Sequence, residues 1–139
     1  MSDLYSGDIL GLAQGLRDGT LAAPDASVRR VAKLCGSEIE VDLCVADGVV
    51  TEFAQRVRAC ALGQASAAIL AKHVVGASCA EVAAARDALH GMLKLDGAAP
   101  LGRFAELGVL EGVKAYPARH ASVMLAFEAA VEACRDAAS

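Results

Sequence analysis

The chain reads as a small α+β domain, a three-stranded antiparallel sheet with helices packed on one face. Three observations predict it. Ile39, Val41, Leu43 and Val45 alternate with Glu38, Glu40 and Asp42, the period of a strand with one buried face. Asp47-Gly48 then separates that run from a second β-leaning run, a strong signal for a two-residue type I′ hairpin turn. Beyond Cys60 the apolar spacing becomes helical, through Leu62, Ala65, Ile69 and Leu70. With 139 residues the expectation is a single domain over 1–139, large enough to bury a core.

Taken in order, residues 3–17 form an amphipathic helix with Ile9, Leu12 and Leu16 on one stripe and Gly19 as a stop. Residues 20–26 contain Pro24 and make a loop. Residues 28–34 alternate weakly as a first strand, with Arg29, Arg30 and Lys33 exposed. The hairpin covers residues 38–58. With a tight turn Ala46 faces Val49 and Val45 faces Val50, and counting outward sets Cys35 opposite Cys60. That simple register puts Glu52 and Arg56 opposite the apolar face. One extra residue near Thr51, a β-bulge, turns Phe53 and Val57 inward and moves Cys60 opposite Gly36. In either register two thiols end within about one residue of each other at the open end of the ribbon.

Gly76 closes the next helix, and Ser78 with Glu81 makes a capping box for another, whose buried stripe is Val82, Ala85, Leu89, Met92 and Leu93, with Gly97 as its end. Residues 100–110 form a short helix around Phe104 and Leu107. Pro117 sits at the first helical position of the last helix, which turns Val123, Phe127, Val131 and Cys134 inward.

Composition narrows the function. The formal charge is −4 and Lys and Arg form no stripe, so nucleic-acid binding is not expected. No apolar run reaches the ~20 residues that span a bilayer, and the first residues lack a basic segment followed by an apolar core. A cytoplasmic protein without a membrane partner is therefore expected. Five cysteines in that compartment are core residues, metal ligands or reactive thiols rather than a disulfide framework. No Cys-x-x-Cys or His-x-x-x-His pair is present, so a metal site must be assembled from distant segments. Gly11-Leu12-Ala13-Gln14-Gly15 lacks the spacing and the Lys-Ser/Thr ending of a phosphate loop. The carboxylates occur as alternating strand charges suited to solvent. An enzyme is not expected.

Cys35-Gly36, the strand and Asp47-Gly48 turn, Cys60-Ala61-Leu62-Gly63-Gln64-Ala65-Ser66 and Tyr116-Pro117-Ala118-Arg119 together resemble the iron–sulfur cluster assembly scaffold family of NifU, IscU and SufU type. The resemblance implies a transient iron–sulfur cluster or a zinc ion held at one end of the domain. It also implies a cysteine desulfurase as sulfur source and apo iron–sulfur proteins as acceptors. Cys35 matches the family's first cysteine and Cys60 its second. The third cysteine position reads Ser122, in Arg119-His120-Ala121-Ser122; Ala32-Lys33 replaces Asn-Pro, Ser37 stands where an aspartate belongs, and Ala59 replaces a glycine.

Soft thiolates select zinc and iron–sulfur clusters, and a serine hydroxyl is a hard substitute. Two thiolates alone do not close a tetrahedral site. His120 can supply nitrogen beside Cys35 and Cys60, with water, Ser122 or a partner's thiol as the fourth ligand. Alternatively, two chains share one cluster, each donating Cys35 and Cys60. A core histidine is the competing reading of His120. Cys44 and Cys134 are expected in the core, Cys79 is given no role, and His73 and His90 are expected at the surface. Arg119, His120 and Ser122 complete the rim of the site in this reading. Cys60 at a helix N-terminus is also placed to be an activated thiolate. Two further functions stay open: a degenerate scaffold serving as an interaction module, and a sulfur-transfer protein that accepts persulfide on Cys60.

Overall fold

The computed structural model describes residues 7–138. Its elements are α1 (Gly7–Gly15), β1 (Ala26–Ala32), β2 (Ser37–Ala46), β3 (Val49–Arg58), α2 (Ala61–His73), α3 (Cys79–Lys94) and α4 (His120–Ala138). Two 3₁₀ segments, Gly102–Ala115 and Pro117–Arg119, connect α3 to α4. The expected N-terminal helix is thus seen over its central part; its residues 3–6 lie outside the described residues. The first strand begins two residues earlier than expected and stops at Ala32, because the chain turns through Lys33–Gly36 with Gly36 at φ +72°.

The strands form one antiparallel sheet in the order β1-β2-β3. The alternation in β2 carries through: Ile39, Val41 and Leu43 are buried with Val28 of β1, and α4 lies across β1 and β2 while also packing on α2 and α3. The bulge expected near Thr51 is present. Val45 pairs with Val50 but Cys44 pairs with Glu52, so Thr51 is the extra residue. Ile39 then faces Val57 and Leu43 faces Phe53, and both β3 side chains pack, half-buried, against the core. Asp47 and Gly48 both take positive φ, the backbone a type I′ turn requires.

The capping box at Ser78 forms as the spacing implies: the Ser78 hydroxyl accepts from the Glu81 amide at 3.0 Å, and the Glu81 carboxylate accepts from the Ser78 amide at 2.9 Å. The segment expected as a short helix at 100–110 is a longer, kinked 3₁₀ run that starts after Pro100 and buries Phe104, Leu107, Leu110 and Val113. Phe104 meets Phe127 of α4 edge to face, with centroids 5.6 Å apart. Pro117 opens the short 3₁₀ turn that runs directly into α4. No helix among the described residues is long and apolar enough to cross a membrane.

One expectation fails on the opposite face of the sheet. Asp42 is not a solvated strand charge; it is 4% exposed. The segment joining α1 to β1 folds over it, and the Leu21 amide donates to Asp42 Oδ2 at 3.2 Å. Ser27 Oγ donates to Oδ1 at 2.8 Å, and Arg56 donates with both terminal nitrogens, at 2.9 and 3.1 Å. Period alone cannot see a loop that caps a face.

Candidate metal centre

The site forms where the turn after β1, the start of β2, the end of β3 and the first turns of α2 and α4 meet. Cys35 lies in the β1–β2 turn and is exposed, while Cys60 is half-buried as the residue capping α2. Glu38 pairs with Arg58, and continuing that register past the strand ends sets Cys60 opposite Gly36, the outcome expected of the bulged hairpin. Between the thiols lie two buried hydroxyls. Cys35 Sγ donates to Ser37 Oγ at 3.2 Å, Ser37 Oγ lies 3.1 Å from Ser122 Oγ, and Ser122 Oγ lies 3.4 Å from Cys60 Sγ. Ser37 is 3% exposed and Ser122 2%.

This chain of contacts has an electrostatic consequence. The Ser37 hydroxyl, and after it backbone amides and the Ser122 hydroxyl, hold the Cys35 thiol below its ordinary pKa, against a desolvation effect that raises it. A hydroxyl that accepts from a thiol can rotate and donate to a thiolate. Ser122 thus addresses both sulfurs.

The position of Ser122 depends on a glycine. A Cβ added to Gly63 in α2 lies 2.4 Å from Ser122 Oγ, 2.8 Å from Ala59 Cβ and 3.2 Å from the Ser122 carbonyl oxygen. The missing side chain at 63 lets α2 and α4 approach and leaves space for the serine hydroxyl. Ser66, one turn further along α2, donates to the Val123 carbonyl at 2.7 Å and ties the same helices. Sequence reasoning assigned no role to Ser37 or Gly63. A signal existed for the second, since an interior helical glycine costs stability and calls for a packing reason.

His120 does not join the group. Its Nε2 pairs with the Val113 carbonyl at 2.9 Å and its Nδ1 with Lys94 Nζ at 3.2 Å, and it is 4% exposed. Residues two apart on a helix point to different sides, so Ser122 can face the thiols only with His120 turned to α3. The core-histidine reading is the one that fits, and the expected nitrogen ligand is spent on fixing the first turn of α4. Arg119 is exposed in the turn before it. Among the described residues no group of three His, Cys, Asp or Glu is placed to hold a metal. The donor set therefore fits a soft metal in kind but supplies only two of the four thiolates such a site takes.

The other cysteines and histidines sort as follows. Cys134 is buried in α4, where desolvation first and the neighbouring Cys79 second push its thiol up to about 12. Cys44 is half-buried, not fully in the core, with its Sγ 3.5 Å from the Ala23 carbonyl. His73, expected at the surface, is half-buried and pairs with Glu106 at 2.8 Å, and His90 is exposed as expected.

The geometry predicts that a short bifunctional thiol reagent such as dibromobimane links Cys35 to Cys60 in one chain. Peptide mapping should find that linked pair as the dominant product, and a product confined to singly modified Cys35 would contradict the proximity.

Comparison with known proteins supplies the family. The N-terminal part of a protein from Brucella abortus, described as a nitrogen-fixing NifU-like protein, has the same fold with a TM-score of 0.96 and 49% identity, over 98% of this chain and 95% of that one. The chain belongs to the NifU/IscU/SufU-like scaffold family. A Fervidobacterium islandicum protein described as an iron–sulfur cluster assembly scaffold for the SUF system shares the fold, with a TM-score of 0.83 and 19% identity over 94% of this chain and 96% of that one. A hypothetical protein of known structure does so too, at a TM-score of 0.85 and 22% identity over 97% of this chain and 99% of that one. No family model and no curated protein matches the chain. In this family member the first turn of α4 brings the Ser122 hydroxyl to Ser37 and Cys60.

Proposed function

We propose that this chain works in iron–sulfur cluster assembly, with Cys35 and Cys60 as the thiolates that receive iron and sulfur for a transient cluster. The cluster is cargo, supplied with sulfur by a cysteine desulfurase and passed on to apo iron–sulfur proteins. The observation that carries this reading is the convergence of two thiols from segments 25 residues apart (Cys35 to Cys60) on one hydroxyl pair. Membership in the scaffold family supports it. Ser37 and Ser122 orient the sulfurs from below and hold Cys35 in its thiolate-prone state. Zinc is the soft cation the same pair would accept in place of iron. No hydrolytic or phosphoryl-transfer chemistry is assigned to this site.

Anaerobic reconstitution with ferrous iron, a desulfurase, cysteine and a dithiol reductant that converts the delivered persulfide sulfur to sulfide tests the reading. Visible sulfide-to-iron absorption should develop, with iron and sulfide retained through desalting. Cys35→Ser and Cys60→Ser should each lose both signals while far-UV circular dichroism is unchanged. Equal iron in the wild type and the double variant would sink the assignment.

A second reading is sulfur transfer, and a specific observation favours one sulfur for it. Cys35 is the exposed thiol and the one held toward thiolate, so persulfide would form on Cys35 and not on Cys60 as the helix-terminus argument suggested. Mass mapping after desulfurase treatment without iron separates the two. Persulfide on Cys35 with no iron retained in the reconstitution supports transfer over scaffolding.

A further inference from the structure

Cys79 and Cys134 take no part in the candidate metal centre, and the packing of α3 on α4 sets them side by side. The two helices run antiparallel: Lys94 at the end of α3 meets His120 at the start of α4, Nζ to Nδ1, at 3.2 Å. Cys79 lies fifteen residues before Lys94, and Cys134 fourteen after His120. At ~1.5 Å of rise per residue both stand about 21–22 Å from that contact, at one level of the helix pair. Fourteen or fifteen residues is also about four turns, so each cysteine keeps roughly the face of the residue it is counted from. On α3, Cys79 extends the buried stripe of Val82, Ala85 and Leu89; on α4, Cys134 extends that of Val123 and Phe127. The two sulfurs are accordingly neighbours. Cys134 is 3% exposed, and burial first and Cys79 second push its thiol up to about 12. Cys79 is only half-buried, so it is the sulfur of the pair that a solute reaches.

We propose that Cys79 and Cys134 form a dithiol that a small hydroperoxide closes into a disulfide, bracing the start of α3 to the end of α4. The step balances in two parts. The Cys79 sulfur attacks a peroxide oxygen and the O–O bond breaks. Sulfur is oxidised to the sulfenic acid, and the leaving oxygen takes up the thiol proton as water or an alcohol. The Cys134 sulfur then attacks the Cys79 sulfur; the S–S bond forms, the S–O bond breaks, and the hydroxyl leaves as water with the Cys134 proton. Position assigns the order, since the accessible sulfur meets the oxidant and the buried one beside it resolves the product. The pair is separate from the thiols of the metal centre. Cys79 sits beside the hairpin turn, its amide donating to the Gly48 carbonyl at 2.8 Å, whereas Cys35 and Cys60 stand at the open end of the same hairpin. The ten residues of β2, roughly 30 Å of strand, lie between the two ends, so exchange of sulfurs between the pairs of one chain is out of reach.

The test treats the reduced full chain, and its Cys35→Ser/Cys60→Ser variant, with hydrogen peroxide in small excess, followed by peptide mapping without reductant. In both, the peptide holding Cys79 should be joined to the peptide holding Cys134 within one chain, and dithiothreitol should release them. In the double variant the joined chain should melt about 5 °C or more above the reduced one, because the link closes a long loop in the unfolded state. Cys134→Ala, which leaves a small apolar side chain in the core, should stop Cys79 at a sulfenic acid that dimedone labels. Cys79→Ala should leave the buried Cys134 unmodified at the same peroxide concentration. Four results overturn the proposal: neither sulfur oxidised, Cys79 carried alone to its sulfinic acid in the unsubstituted chain, Cys79 joined to a second chain, or a joined pair that melts no higher than the reduced one. None of them bears on iron or zinc at Cys35 and Cys60, so this pair and the proposed function stand or fall separately.

Discussion

Gly63→Ala is expected to destabilise the protein by about 1–3 kcal/mol, the range for forcing an extra methyl into a packed contact, against the ordinary sign of this substitution. In a helix interior alanine is better than glycine by up to about 1 kcal/mol. Here the new Cβ falls 2.4 Å from Ser122 Oγ and 2.8 Å from Ala59 Cβ. The serine can rotate away only by losing Ser37 and Cys60, and Ala59 can move only with its backbone. A fall in melting temperature of roughly 3–10 °C follows for a chain of this size. Ser122→Ala in the same chain should recover part of the loss, because it removes the nearer of the two obstructing atoms. The pair should therefore be non-additive by at least about 0.5 kcal/mol. A Gly63→Ala variant that melts higher than the wild type would show that α2 and α4 do not approach as described.

Asp42→Asn is expected to cost about 2–3 kcal/mol at neutral pH, the range for removing one charge from a buried, hydrogen-bonded ion pair. The Arg56 guanidinium first, then the Ser27 hydroxyl and the Leu21 amide, hold the carboxyl down at about 2 against burial, which raises it. Its folded pKa therefore lies below the unfolded one, and the folded chain binds fewer protons. The stabilisation is fully present above the unfolded value of about 4 and is lost as pH falls through about 2. Denaturant midpoints of wild type and variant should keep a constant gap from about pH 8 to pH 5 and converge between about pH 4 and pH 2. A gap that persists unchanged to pH 2 would mean that the charge of Asp42 contributes nothing.

These two sites mark where sequence reasoning reached its range. The hairpin was legible because β2 alternates and β3 does not, and only an inserted residue at Thr51 reconciles them. Cys35 and Cys60 could be paired for the same reason, since strand register is a matter of counting. Asp42 was misread because its neighbours along the strand are solvated, and the loop that covers it comes from residues 18–25, which carry no periodic signal. His120 and Ser122 could not be told apart as ligands by spacing. They lie two residues apart on one helix, and which of them faces the thiols depends on how α4 is rotated against α2 and α3.

The sequence by itself determined that a three-stranded meander followed by helices would bring two distant cysteines to one end, because alternation, a turn dipeptide and a change of period are local properties. Only the tertiary structure decided what lies between those cysteines. A glycine on one helix admits a hydroxyl from another, a histidine is turned away to a lysine and a carbonyl, and two buried serines join the sulfurs. The reason is physical: close approach between helices depends on volume and rotation, and neither is written in the periodicity of a single segment.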